Sequence, residues 1–442
     1  MNKNLNPDAV YDARSLGTPK MLLLGLQHMF AMFGATVLVP TLTGLSVSAT
    51  LLFAGLGTLL FHLLTKKKVP AFLGSSFAFL GGYFAIAPGG DPTLLPYACF
   101  GVACAGLMYG VLSALFKAYG VKKVMRFFPP IVTGPIIICV GLHLAPTAIN
   151  SCMDNWGIAL VAVFVVILCN IWGKGMIKII PILLGVVASY LVAALTGNVD
   201  FSAVASAPWV GLPVRFENTV FGLFTSGHVD TSLLVTAVIT ILPISLATMV
   251  EHIGDICAIS STCGENFMQD PGFHRTLLGD GLATTLAALF GAPANTTYGE
   301  NTGVLNLTKV FDPRVIRLAA VFAILFSFCP KFSALIASMP SATIGGVSLI
   351  LYGMIAAVGV RNVVENQVDF TNTRNVIIAA LILVLTIGIE FSSVGNIQLG
   401  AVSLSGLAVA SIVGIALNAI LPGKDYEFQQ EDKGSTSVNF QV

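Results

Sequence analysis

Charge is scarce in this chain. Of 442 residues only 10% are Asp, Glu, Lys or Arg, against 55% hydrophobic, and the mean hydropathy is +0.87. Soluble domains carry about 25% charged residues, so the shortage excludes a soluble globular protein and implies a polytopic membrane protein. Basic clusters are lacking too. The 22 Lys and Arg are scattered in ones to threes with a net charge of +1, which leaves no basic stripe for nucleic acid and excludes it as a partner. The eight cysteines include no C-x-x-C and sit mostly in apolar segments, so they read as small packing residues and imply neither a disulfide framework nor a zinc site. HExxH, GxSxG and P-loop motifs are missing, and the E-H-x-x-D stretch at 251–255 has a single imidazole, off its carboxylate face. No enzyme, metal or organic cofactor is therefore expected. A cleavable leader is not expected either, because about twenty mixed polar residues precede the first apolar run and no small-x-small site follows it.

What the chain does have is apolar runs. A span needs about 20 such residues, and twelve full helices are predicted at 20–41, 47–65, 96–118, 128–147, 157–173, 177–197, 232–252, 275–291, 314–330, 338–358, 373–391 and 398–421. Two interrupted segments, 70–87 with "PAFLGSSFAF" and 294–310 with "NTTYGENTGVLNLTK", bring the crossings to fourteen. With the N-terminus inside, this count puts Lys66–Lys68, Lys117, Lys122, Lys123, Arg126, Lys174, Lys178, Lys309, Arg314 and Arg317 on the cytoplasmic face, and only Arg215 and Lys331 outside. The organisation that follows is a cytoplasmic tail 1–19, seven segments over 20–197, an external connection 198–231, seven more over 232–421, and a cytoplasmic tail 422–442.

The interrupted segments are third and tenth, so they hold equivalent places in two groups of seven. "GSSFAF" at 74–79 matches "NTTYGE" at 295–300, with Phe77 against Tyr298, and "PPIVTGP" from Pro129 matches "PSATIGG" from Pro340 more loosely. Seven is odd, so the second copy enters from the opposite side, the pattern of an inverted repeat whose broken segments meet near the midplane. Ser, Thr, Gly and Asn hold a helix poorly, and extended backbone survives in a membrane only inside protein or against a polar cavity. Two such pieces facing each other would satisfy part of one another's hydrogen bonding and offer the remaining N–H groups to a ligand. The alternative is a re-entrant packing element without a ligand.

Carboxyl groups accompany these segments. Glu251 and Asp255 are spaced i, i+4 and share a helix face near the end of the eighth span, while His252 turns about 100° away. With Glu300 they form a site of two or three carboxyls, where joint ionisation is disfavoured and a proton can be exchanged. Helix-end capping is the competing role for Glu251, and a position near the cytoplasmic loop competes for Asp255. Asp280 reads as a turn or packing residue, Glu390 as a solvated carboxylate at an external span end. His28, within the first span, either bonds a backbone carbonyl or orients a site carboxylate.

The motif around Glu300 is familiar. A Gln, Glu or Pro followed by Asn-x-Gly-x4-Thr and then Arg, Lys or Gly is the signature of the nucleobase–ascorbate transporters, the nucleobase–cation symporter-2 family, and "ENTGVLNLTK" carries it through Glu300, Asn301, Gly303, Thr308 and Lys309. The chain resembles that family from about 20 to 421. It resembles the bacterial uracil permease branch most, through "LQHMFAMFGATVLVP" at 26–40, "PAFLGSSFAF" at 70–79 and "NTTYGEN" at 295–301. The resemblance implies an all-α inverted repeat of 7+7 segments with short strands in segments 3 and 10. Segments 1–4 and 8–11 would form a core domain, and 5–7 and 12–14 a gate domain through which a homodimer forms. It implies a multi-pass protein of the cytoplasmic (inner) membrane that imports uracil by alternating access, with the proton as coupling ion and no other cofactor. Glu251 and Glu300 would take the base's ring N–H groups and the backbone N–H groups of Phe77 and Gly299 its carbonyls. Ser76, Tyr298 and Tyr352 would line the pocket, and Glu300, Glu251, Asp255 and His28 would serve proton coupling. Uracil is a flat neutral imide, which acceptor carboxyls and donor backbone suit.

One position departs from the branch. Uracil permeases commonly carry His four residues after the span-eight glutamate, where this chain has Asp255, as purine-transporting relatives tend to; those relatives usually have Gln at the place of Glu300. Xanthine or uric acid is thus the alternative substrate. An anion exchanger or channel of similar architecture would need a cation at the site, and no basic residue lies at the apex of either interrupted segment.

Overall fold

Side-chain caps and prolines start most of the helices. In the computed structural model, which describes residues 9–225, 229–393, 395, 397–399 and 402–423, Ser46, Asn155, Asp230, Asp312, Asn372 and Ser405 each accept a backbone N–H at a helix start, satisfying donors that lipid cannot. The first half comprises α1 (Thr18–Thr43), α2 (Val47–Leu64), β1 (Leu73–Ser75), α3 (Leu80–Ile86), α4 (Leu95–Tyr119), α5 (Pro130–Leu142), α6 (Ala145–Met153), α7 (Trp156–Ile171) and α8 (Pro181–Leu195). The second comprises α9 (Thr231–Ile241), α10 (Ser245–Cys263), α11 (Phe273–Leu289), β2 (Asn295–Thr297), α12 (Gly299–Thr308), α13 (Pro313–Ser327), α14 (Pro330–Ala337), α15 (Ser341–Glu365), α16 (Thr373–Phe391), β3 (Ile397–Leu399), β4 (Val402–Leu404) and α17 (Gly406–Ile420).

By length and composition, seven helical stretches among the described residues can cross a membrane, or eight with the bent pair α13–α14. The apolar helices α7, α8 and α17 are shorter than a full span. Several expected spans differ in form. The segment at 232–252 continues to Cys263 as a 33-residue stretch, passing a tight turn at Leu242–Ile244 that contains Pro243. Asp255 therefore lies inside a helix that runs on to Cys263. The segment at 128–147 is two helices, α5 and α6. The one at 314–330 ends in an 87° bend into α14, and the one at 398–421 opens with the β3–β4 hairpin, Ile397 against Leu404. Residues 1–8, 226–228 and 424–442, which include nearly all of the C-terminal tail, lie outside the described residues.

The centre of the fold is a two-stranded antiparallel ribbon. β1 pairs with β2 in the register Leu73↔Thr297, Gly74↔Thr296, Ser75↔Asn295, and the ladder runs on through Ser76 N–H to Ala294 O (2.8 Å) and Tyr298 N–H to Phe72 O (3.0 Å). Its outer edges are closed by neighbouring helices. Thr58 on α2 accepts the Leu73 N–H at 2.9 Å, Thr284 on α11 donates to Asn295 O at 2.8 Å, and the Asn295 amide donates to Phe53 O at 3.0 Å. Part of the extended backbone's outward-facing edge is thus satisfied by side chains inside the protein, the condition under which a membrane interior tolerates it. Met32, Phe72, Ile253, Leu305 and Leu351 belong to the main buried cluster around the ribbon.

The chain's start is sewn to the far end of α12. Val10 bridges Val310 in parallel, with Val10 N–H to Lys309 O at 2.8 Å and Phe311 N–H to Val10 O at 2.9 Å. Asp312 accepts the Ala13 N–H at 2.8 Å, Arg314 reaches both Asp12 and Asp312 at 3.0 Å, and the Tyr11 hydroxyl donates to the Cys263 carbonyl that ends α10 at 2.9 Å.

Candidate functional site

Two helices leave the ribbon from opposite ends. After β1 the chain passes Ser76 and Phe77 into α3; after β2 it passes Tyr298 into α12, whose first residues are Gly299 and Glu300. The backbone N–H groups of Phe77 and Gly299, first beyond the ladder, make no hydrogen bond among the described residues. Gly299 is exposed, and a Cβ there would meet nothing within 4 Å. Both are free donors, and the one at Gly299 stands beside open space.

Gly74 is required by close approach. A Cβ at this position would run into the ring of Tyr298, which lies across β1 and donates its hydroxyl to Ser75 O at 2.8 Å. Ser75 in turn donates to Thr36 O on α1 at 2.8 Å. Tyr298 is thereby fixed along the ribbon rather than free to turn. Phe77 meets Tyr352 of α15 edge to face, with ring centroids 5.8 Å apart at 74°. Both rings are buried, and so is Ser76, whose hydroxyl has no hydrogen-bond partner among the described residues.

Three carboxyls lie beside the ribbon. Glu251, Asp255 and Glu300 are each half-buried, and Glu251 lies within electrostatic reach of Asp255, Asp280 and Glu300. One oxygen of Glu251 is buried without a partner. Asp255 accepts a hydrogen bond from the Thr297 hydroxyl at 2.7 Å, which links α10 to β2. Placing several acids in a water-poor interior is costly unless they share protons or meet a ligand's donors. The cluster can therefore do both, accepting hydrogen bonds from a neutral ligand and storing a proton.

His28 is fully buried and touches neither a site carboxylate nor a distant carbonyl as donor. The side-chain amide of Asn301 lies 3.2 Å from its Nδ1 and donates to its carbonyl at 3.0 Å, so His28 braces the residue next to Glu300. Asp280 is not in a turn. It stands within α11, fully buried, with His252 Nδ1 at 3.0 Å from its Oδ2. His252, off the Glu251 face, thus has its partner on another helix. Its ring also meets Phe61 edge-on at 6.3 Å, and nearby Tyr109 donates to Thr248 at 2.6 Å. An aspartate inside a long apolar run is the signal that could have marked this pair. Glu390 is half-buried at the end of α16 rather than fully solvated. No cluster of metal-ligating side chains occurs among the described residues.

The chain is similar to known proteins. A family model described as "Permease family" matches residues 19–395. The chain is 43% identical to the uracil permease of Bacillus caldolyticus over 91% of its own length and 92% of that protein. It is 41% identical to the uracil permease of Bacillus subtilis (92% and 94%) and 37% identical to that of Escherichia coli K12 (90% of each). Among solved structures, the fold is similar to the transmembrane domain of the cyanobacterial bicarbonate transporter BicA, with a TM-score of 0.59 at 15% identity over 93% of this chain and 99% of that one. It is also similar to SLC26A9, with a TM-score of 0.66 at 11% identity over 93% and 66%. The likeness to these two is one of fold.

Proposed function

The chain belongs to the permease family, and from that premise we propose that it carries uracil across the cytoplasmic membrane as a proton symporter working by alternating access. It is a transporter and not an enzyme. Uracil presents two ring N–H donors and two carbonyl acceptors in one plane. Glu251 and Glu300 supply acceptors for the former, and the Phe77 and Gly299 N–H groups supply donors for the latter. Phe77, Tyr298 and Tyr352 give the flat ring apolar walls. The observation that carries the reading is the half-buried acid cluster of Glu251, Asp255 and Glu300 around the open backbone donors of the ribbon's ends.

In this proposal the base enters from outside when the cluster holds a proton, and the ribbon-bearing core then moves against the helices around α15 to expose it inside. Each proton entering contributes about 2.3 kcal/mol per 100 mV, enough to concentrate a neutral base many-fold. The same reading has fourteen crossings in two inverted sets of seven, both termini cytoplasmic, and a homodimer formed through the gate. Asp255 favours a second reading, a purine symporter for xanthine or uric acid, since at that residue the chain departs from the uracil branch's usual histidine.

Labelled uracil uptake into vesicles with an imposed pH gradient tests both. Accumulation that a protonophore abolishes, and that unlabelled uracil competes better than xanthine or uric acid, is expected. Uptake indifferent to the protonophore would mean a passive channel, and stronger competition by xanthine would favour the purine reading.

A further inference from the structure

The connection between α8 and α9 reads from sequence as an aqueous external loop, yet it displays large apolar side chains. Trp209, Val210 and Leu212 are 72%, 78% and 83% exposed. The stretch is nonetheless held firmly. Gly211 N–H donates to Phe328 O and Lys331 N–H to Pro208 O, both at 3.0 Å, and Gly211 sits so close to Pro330 that a Cβ would come within 2.6 Å of it. The Lys331 ammonium lies 5.1 Å from the centre of the Trp209 ring.

These contacts fix the loop to α14, which turns 87° from α13. Because α13 crosses the membrane in the proposed arrangement, on which this inference rests, α14 lies along the surface at the external end. Its last turn is tied to α8 through Tyr190 and Ser338, whose hydroxyls are 2.6 Å apart. On α8, Val187, Leu191 and Leu195 recur every four residues and are 45%, 56% and 87% exposed, an apolar stripe on the outside of the chain. Phe201, from the start of the connection, packs edge-on against Tyr190 at 6.1 Å. The Tyr190–Phe201 contact therefore ties the start of the connection to α8.

We propose that residues 207–212 form an interfacial anchor, with Trp209, Val210 and Leu212 buried in the outer leaflet at headgroup depth and Lys331 at the phosphate level. A tryptophan beside a lysine at the end of a span is the pairing that membrane interfaces favour, with the ring at the headgroup level and the ammonium towards water. A patch of this kind in water would be an aggregation liability. The pairing of Trp209 with Lys331 at the end of a proposed span favours lipid over a second copy of the chain as its cover.

The chain has three tryptophans, so W156F with W172F leaves Trp209 as the sole reporter. Reconstituted in phosphatidylethanolamine–phosphatidylglycerol vesicles, this variant should show blue-shifted emission, quenched several-fold more strongly by bromine-labelled phospholipid than by aqueous iodide. Stronger quenching by iodide overturns the anchor. Quenching by neither overturns it as well and points to a protein surface as the cover. If the double variant does not fold, a diazirine-bearing phospholipid applied to the unaltered chain should label the peptide containing 207–212, and its absence from the labelled set has the same force. Neither readout needs transport, so failure of uracil uptake would bear on the function and not on the anchor.

Discussion

Thr297 donates its hydroxyl to Asp255 at 2.7 Å, so the strand that precedes α12 is tied to the helix that carries Glu251. One contact thus joins the ribbon to the acid cluster. Asp255 has two separable attributes in that place, a hydrogen-bond acceptor for β2 and an ionisable group. Asp255→Asn keeps the acceptor and removes the charge, whereas Asp255→Ala removes both and leaves the Thr297 hydroxyl unpaired, at a cost of about 1–3 kcal/mol. The Asn variant is expected to bind uracil with an altered pH dependence of uptake, and the Ala variant to lose thermal stability too. An unaltered pH profile in both would take Asp255 out of proton coupling.

Glu300→Gln keeps the shape and removes a carboxylate acceptor at the start of α12. A hydrogen bond to a charged partner is worth about 1.5–3 kcal/mol, so uracil uptake should fall roughly 10- to 150-fold by the usual conversion. Surface expression and melting temperature are expected to hold, since the group is not used to support the ribbon. Wild-type uptake in this variant would remove Glu300 from the site.

Part of this architecture is legible in the sequence. The polar runs at 74–79 and 295–300 break an apolar background, and they meet in the structure as facing strands. The register is not legible, because the residues that close the ribbon's edges, Thr58 and Thr284, are ordinary threonines in apolar helices far away in the chain. The His252–Asp280 pair escapes for a similar reason. Helical spacing shows that His252 points away from Glu251, but not which helix it meets. The β3–β4 hairpin carries its signal in the alternation Ile397-Gln398-Leu399 and Val402-Ser403-Leu404, which the continuous apolar helix after it obscures.

Two glycines on the ribbon's flanks separate packing from binding. Gly74→Ala would push a methyl group into the Tyr298 ring and to within 2.7 Å of the Thr36 hydroxyl. Overpacking of this sort costs about 1–3 kcal/mol, so the melting temperature should drop and uptake with it. Gly299→Ala meets open space and should leave the melting temperature unchanged, or raise it slightly, by about 1 kcal/mol or less from helix propensity. Its methyl group, however, enters the region where the free N–H points, so KM for uracil should rise while expression holds. Equal thermal losses in the two variants would contradict the open space at Gly299.

The N-terminal strap offers a control for the pH dependence. Hydrogen bonds from the Arg14 side chain and backbone, with Arg314 adding to them, hold the Asp12 carboxyl down at about 2. A carboxyl lowered in the folded state binds fewer protons there than in the unfolded chain, so its contribution is complete above the ordinary carboxylate range and is lost only as pH falls towards about 2. Across the interval from roughly pH 5 to 8 in which a proton symporter is assayed, Asp12 stays ionised. Asp12→Asn removes the charge that Arg314 reaches and loosens the tie between the chain's start and the end of α12. The melting temperature should fall by the same amount at every pH in that interval, and the shape of the uptake–pH curve should match the unaltered chain. A shifted curve would place proton coupling partly in the strap, whereas an unshifted one assigns the whole pH dependence to the acids beside the ribbon.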